Sequence, residues 1–269
     1  MNEIRLLVAP NRSSTTAFMQ AISQNPKVHA LYQPVKTGIR EMGVPDYSLF
    51  DGTHKVFKEH PDKVIFAKET FGAIGNKEVF ESLRLCTYLV FPDAKSVRRS
   101  RPIFLFREPI ANWNGCKQVG NCTTLGLFCR AYTSAYNSFV SALAMSDRVT
   151  CLTRQTLLAN PEYIMGQICD RWDIPFSSSM VSWQNSLLEN ENFSATEQER
   201  KNMRWQQKVL SVTTSFIERP ENDELVTEAE RDYLHQTLTP LYRVIEKLTK
   251  EFYPNPSAQL IPDIEVILR

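Results

Sequence analysis

Glycine is scarce in this chain, nine residues in 269, and the first of them is Gly38. A nucleotide-triphosphate loop of the form GxxxxGK[ST] is therefore missing behind the first apolar run, Ile4 to Val8, and no lysine stands directly before a hydroxyl there. ATP hydrolysis of that type loses ground. The six cysteines (Cys86, Cys116, Cys122, Cys129, Cys151 and Cys169) form no CxxC pair and have no histidines at zinc-ligand spacing, so no metal is expected. No apolar run reaches membrane length, and no basic segment followed by an apolar one opens the sequence. The expectation is a soluble, reduced, cytoplasmic protein without a membrane partner. A net charge of +1 lacks the basic excess of a general nucleic-acid binder and leaves room only for a local basic pocket that takes a small anion.

What is present points to a packed α/β protein. The apolar content is 42%, enough for a core. Ile4–Val8 reads as a buried first strand ended by Pro10, followed by a helix from about Ser14 to Gln24. Residues 25–61 are broken by Pro26, Pro34, Gly38, Gly43, Pro45 and Gly52 and read as loops and short helices over the sheet, the kind of insertion that shapes substrate pockets. Val64–Ala67, Leu85–Phe91, Ile103–Phe106 and Val149–Leu152 read as further strands; Ile103–Phe106 is continuously apolar, as parallel strands covered on both faces are. Lys68, Glu69 and Thr70 then stand at the end of the second strand candidate, and Arg107 at the end of the fourth. Helical periodicity runs through Phe128, Tyr132, Ala135 and Phe139. A helix at Pro161–Trp172 has Asn160 as its cap. Glu197–Gln207 reads as a charged helix and Glu228–Phe252 as one long amphipathic helix capped by Thr227. Without repeats or a low-complexity linker, residues 1–269 read as a single domain built on a doubly wound parallel sheet.

The segment Arg12-Ser13-Ser14-Thr15-Thr16 between the first strand and the first helix is the densest cluster of phosphate-binding side chains. Ligands of open α/β sheets bind outside the carboxyl ends of the strands, and free N–H groups at a helix start point at anions. Arginine adds a planar, permanently charged fork. Serine and threonine also cap helices without any ligand, so residue types alone leave an anion site and a merely capped loop both open.

This segment resembles the R/K-S-G-T-T loop of the sulfotransferases that use 3′-phosphoadenosine-5′-phosphosulfate (PAPS). Ile103–Pro109 resembles that family's strand ending in R-[DN]-P. Asn160-Pro161-Glu162, Cys169, Ile174-Pro175-Phe176, Met180 and Trp183 are similar to its D-P-E…C…G-I-P-F…M…W run. The resemblance covers most of residues 4–185. It implies a P-loop-type parallel sheet flanked by helices with irregular substrate-covering insertions, PAPS as the donor, and a small-molecule acceptor. It also implies that Arg12, Ser13, Ser14, Thr15 and Thr16 grip the phosphosulfate end and that Arg107 binds the 3′-phosphate. Three departures stand out: the loop glycine is Ser14, the serine eight residues after the strand-end arginine is Gly115, and no RxGxxGxW-type segment closes the sequence. Asn112 or Asn114 is a candidate substitute for the missing hydroxyl. Arg200, Lys201, Arg204 and Lys208 are candidate cations, or a solvated helix face.

Sulfuryl transfer passes an anionic group in line between two oxygens, so the protein positions the partners and stabilises charge on the bridging oxygen. Arg12 with the loop N–H groups suits the leaving phosphate, and Lys68, where the family often has a lysine, suits the bridging oxygen. The assigned general base is Glu69; Gln33 and Thr70, near two positions where relatives carry a base, cannot take a proton, and His54 is a second candidate. Glu108 is expected to cap a helix or position Arg107. Trp113, Phe128, Tyr132 and Tyr136 either line an acceptor pocket or, at helical spacing, simply form core. The competing functions are a non-catalytic nucleotide-binding protein on the same fold and a P-loop kinase-like phosphotransferase.

Overall fold

A computed structural model describes residues 3–72, 90–119, 124–183, 185–196, 216 and 223–254. One six-stranded sheet organises them. Its strands are β1 (Ile4–Pro10), β2 (Val28–Tyr32), β3 (Val64–Phe71), β4 (Ile103–Phe106), β5 (Thr150–Thr153) and β6 (Phe193–Ser194), in the order β5-β4-β1-β3-β2-β6. Every pairing is parallel. β1, β2, β4 and β5 are buried along their whole length, as strands covered on both faces are.

Helices cover both faces. On one lie α1 (Thr15–Ser23) and the later helix of residues 161–172, packed against the even-numbered face of β3 through Phe18, Met19, Ile22, Phe66 and Trp172. The short helices α2 (Pro34–Met42), α3 (Ser48–Asp51) and α4 (Val56–Glu59) lie on the other. They are joined there by α5 (Ala94–Ser100), α6 (Pro109–Val119) and α7 (Leu125–Met145). After β5 come α8 (Arg154–Ala159) and α9 (Pro161–Trp172), and after β6 come α10 (Glu228–Thr237) and α11 (Thr239–Phe252). Asn160 caps α9 by accepting from Tyr163 N–H at 3.2 Å, and Thr227 forms a capping box with Glu230 at the start of α10.

Three expectations need correction. Residues 25–61 hold a core strand, β2, and a nine-residue helix, α2, because Pro34 sits in the first turn of α2, where a missing N–H costs nothing. The Glu228–Phe252 periodicity divides at Leu238: Pro240 lies in the first turn of α11, which starts afresh there. β3 runs on to Phe71, since Pro10 pairs with Phe71, so Lys68, Glu69 and Thr70 lie inside the strand rather than beyond it. The strand proposed at Leu85–Phe91 falls outside the described residues except for Val90 and Phe91, both buried, and Glu197–Gln207 falls outside them altogether. Cys116, Cys129, Cys151 and Cys169 are buried free thiols, and no helix among the described residues is long and apolar enough to cross a membrane.

Trp172 ties the α1 face together. Its ring packs on Phe18 and Phe66 at 6.0 and 5.7 Å, its Nε1 donates to Arg101 O at 2.9 Å, and its carbonyl accepts from buried Arg5 Nε at 2.8 Å. Trp172→Ala should lower the unfolding free energy by about 3–5 kcal/mol in a denaturant titration. At the sheet's far edge His29 is buried, meets Ser194 Oγ at 2.8 Å and stacks on His60 at 3.7 Å. Burial first, then His60 and Lys63, pulls its pKa from 6.5 down to about 4. Between those values the unfolded chain takes up a proton that the folded chain refuses, so stability should fall as pH drops from about 6.5 to about 4. His29→Asn should remove that slope; denaturation midpoints of the two proteins across this range measure it, and parallel curves would count against it.

Candidate active site

The crossover from β1 leads through α1 toward β2, whereas the connection from β3 leads back past β1 to β4. Neighbouring strands whose connections depart in opposite directions open a crevice at their carboxyl ends. Asn11–Ser14 and Thr70–Gly72 form its lips. Asn11 N–H donates to Phe71 O at 2.8 Å. Gly72 has φ +118°, and a Cβ on it would stand 3.2 Å from the Asn11 Cβ, so this close approach needs glycine.

The loop after β1 passes twice through the left-handed region, at Arg12 (φ 68°) and Ser14 (φ 66°). Each such turn in a residue with a Cβ costs about 1–3 kcal/mol. Ser14 is the N-cap residue of α1, yet its side chain makes no capping hydrogen bond. Helix capping therefore does not account for this hydroxyl. Ser14 Oγ instead accepts from Arg154 Nε at 2.9 Å, and buried Ser13 Oγ accepts from Asn112 Nδ2 at 2.9 Å. Thr15 and Thr16 form the buried first turn of α1.

Cations converge on this loop from three strands. Arg107, immediately after β4, donates from Nη1 to Arg12 O at 3.4 Å, and its own carbonyl accepts from Tyr132 OH at 2.9 Å. Lys68, buried on β3, donates from Nζ to Thr16 Oγ1 at 3.4 Å and lies 4.0 Å above the Tyr32 ring. Arg154, immediately after β5, is 8% exposed. The structure thus groups Arg12, Ser13, Ser14, Thr15, Thr16, Lys68 and Arg107 around one turn.

Glu69 stands apart from them. Successive strand residues face opposite ways, so Lys68 points toward α1 and Glu69 toward α2. Glu69 Oε1 accepts from Val35 N–H at 2.8 Å. It lines a cavity of about 20 Å³, room for roughly one water molecule or hydroxyl, with Val35, Ile39, Phe71 and Val90 as apolar walls. Lys36 lines it too, and its Nζ donates to Gly72 O at 2.9 Å and Thr70 O at 3.3 Å. Gln33 Nε2 donates to Thr70 Oγ1 at 2.6 Å.

Other candidates resolve into structural roles. Trp113, Phe128 and Tyr132 are buried in the core, with ring centroids 5.3 and 6.0 Å apart along the series. Glu108 Oε2 accepts from Ala111 N–H at 2.8 Å at the start of α6, as a helix cap does. His54 Nδ1 accepts from Val56 N–H at 3.2 Å, and burial lowers its pKa. Arg200, Lys201, Arg204 and Lys208 lie outside the described residues. Sequence reasoning missed Arg154 and Lys36. Arg154 carries the same signal that marked Arg107, an arginine directly behind a short buried strand, while Lys36 lies in a stretch read as irregular.

No protein-family model and no curated protein matches the chain. Among solved structures it is similar to the sulfotransferase domain of the Synechococcus PCC 7002 olefin synthase, with a TM-score of 0.50 and 10% identity over 87% of this chain and 95% of that one. It is also similar to a sulfotransferase domain from the curacin biosynthetic pathway, with a TM-score of 0.46 and 10% identity over 93% and 98% of the two chains. A third similar structure is mouse sulfotransferase SULT7A1 complexed with PAP, with a TM-score of 0.41 and 15% identity over 95% and 85%. At the level of fold, the first of these matches the parallel six-stranded sheet and its flanking helices: the chain has the fold of a sulfotransferase domain.

Proposed function

We propose that the chain is a PAPS-dependent sulfotransferase that moves a sulfuryl group in line to a hydroxyl or amine of a small-molecule acceptor. The observation that carries this reading is the contact between Arg107 Nη1 and Arg12 O at 3.4 Å. It joins the hydroxyl-rich turn after β1 to the guanidinium after β4 on one edge of the sheet, within the span of a single nucleotide. Arg12, Ser13, Ser14, Thr15 and Thr16 bind the phosphosulfate end, and Arg107 binds the 3′-phosphate. The residues fit a polyanion for two further reasons: the loop hydroxyls are turned to side-chain donors instead of the helix start, and an arginine fork matches phosphate oxygens better than a point charge does.

When bound, the donor supplies the sulfuryl group and departs as adenosine 3′,5′-bisphosphate. Arg12, with the N–H groups at the start of α1, holds the 5′-phosphate as charge develops on it. Lys68, already on Thr16 at the same turn, neutralises the bridging oxygen. Glu69 takes the acceptor's proton, and the hydroxyl-sized cavity that it lines orients the nucleophile. A non-catalytic nucleotide binder on this fold would share the first of these features and lack the last. The olefin synthase and curacin domains are named for sulfotransferase activity within biosynthetic systems; no acceptor for this chain is carried over from them.

Calorimetry with adenosine 3′,5′-bisphosphate should show binding that Arg12→Ala weakens about 10- to 100-fold, the loss of one or two charge-assisted hydrogen bonds. Unchanged affinity would remove the loop from the site. Glu69→Gln should lower kcat at least about 100-fold against an acceptor panel while leaving bisphosphate affinity near that of the parent. Transfer at the parental rate would exclude Glu69 as the base, and binding by the parent protein without transfer to any acceptor would favour the non-catalytic reading.

A further inference from the structure

The donor reading leaves one half of the 3′-phosphate subsite unexplained, because position 115, on the helix that follows the strand-end arginine, offers no hydroxyl. The structure gives a reason for the glycine. A Cβ at Gly115 would stand 2.9 Å from Arg107 Nη1 and 3.7 Å from the Arg12 Cβ. The Arg107 guanidinium itself therefore occupies the space that a side chain would need, lying against the backbone of α6. The neighbouring asparagines each make a hydrogen bond within the protein. Asn112 donates from Nδ2 to Ser13 Oγ, and Asn114 Oδ1 accepts from Leu225 N–H at 3.0 Å.

Resting on that donor reading, we infer that Arg154 is a phosphate-binding residue that supplies the second contact to the donor's 3′-phosphate. The order of strands carries the argument. Along the carboxyl edge the charged groups follow the sequence β3, β1, β4, β5: Lys68, then the Arg12–Thr16 turn, then Arg107, then Arg154. With the phosphosulfate end on the turn and the acceptor beyond it on the β3 side, the remaining phosphate of an extended nucleotide falls on the β4–β5 side. Among the described residues, Arg107 and Arg154 are the cations that directly follow strands there.

Arg154 lies against the same turn that Arg107 reaches, where Arg107 Nη1 donates to Arg12 O at 3.4 Å. It is 8% exposed and permanently charged, and its Nε is fixed by Ser14 Oγ at 2.9 Å, which holds the guanidinium plane against the turn. The loop serine and the helix glycine are then one change rather than two. The hydroxyl at Ser14 fastens the arginine that replaces the hydroxyl lost at Gly115.

The test compares adenosine 3′,5′-bisphosphate with adenosine 5′-monophosphate by calorimetry on the full chain. The parent protein is expected to prefer the bisphosphate. Arg154→Met should weaken bisphosphate binding about tenfold, as loss of a charged hydrogen bond does, and leave the monophosphate within about twofold. Ser14→Ala, which removes the hydroxyl that fastens Arg154 and keeps the guanidinium, should reduce the preference for the bisphosphate, by less than Arg154→Met does. An equal loss for both nucleotides in Arg154→Met, or an unaltered preference, overturns the inference while the donor reading stands. A parent protein that fails to distinguish the two nucleotides takes both down.

Discussion

The site depends on β1 lying between β3 and β4 with all three strands running the same way. Parallel neighbours deliver their carboxyl ends to one edge, and departure of the β1 and β3 connections in opposite directions keeps that edge open. Arg12, Lys68 and Arg107 are far apart in sequence, and no local rule brings them together; the strand order does. The contact of Asn11 N–H with Phe71 O, beside a Gly72 that allows the two lips to touch, fixes the depth of the crevice.

Strain and charge accumulate along the same edge. Of the five non-glycine residues with positive φ among those described, Arg12, Ser14 and Gln33 lie there, each at a cost of about 1–3 kcal/mol. Cations arrive from β3, β4 and β5, while Glu69 and Glu108, each next in sequence to one of them, accept backbone N–H groups at the starts of helices. An arrangement of this kind is costly, and such features gather at binding sites rather than in the core. The helix-packed remainder shows the opposite economy: Trp172, Phe18 and Phe66 fill space, and each helix start with a capping side chain is a conventional one.

Much of this was legible in the sequence because buried parallel strands are short, apolar and sharply ended. Ile4–Val8 and Ile103–Phe106 stood out for that reason, and Arg12 and Arg107 stood out with them. β2 did not. Val28–Tyr32 has a histidine and a tyrosine in it and lies among prolines and glycines that each have a local purpose, such as Gly38, where a Cβ would meet Asp46 N at 2.4 Å. The division at Leu238 was hidden because both halves of the amphipathic stretch turn the same face to the core, so periodicity runs smoothly across a break that only Pro240 marks. Arg154 was overlooked since the apolar pattern ends that strand at Leu152, one residue before β5 itself ends; its place at this edge comes from β5 lying beside β4, a tertiary fact.

The adjacency of Lys68 and Glu69 acquires a meaning in the fold that it lacks in the sequence. As consecutive residues of a strand they face opposite sides of the sheet, Lys68 toward the turn before α1 and Glu69 toward α2. In-line displacement places the leaving and attacking oxygens on opposite sides of the group transferred. A cation for the leaving oxygen and a carboxylate for the attacking one must therefore be separated across the reaction axis yet held in rigid register. Under the proposed reading, two neighbouring positions on a central strand meet that requirement without any loop to order.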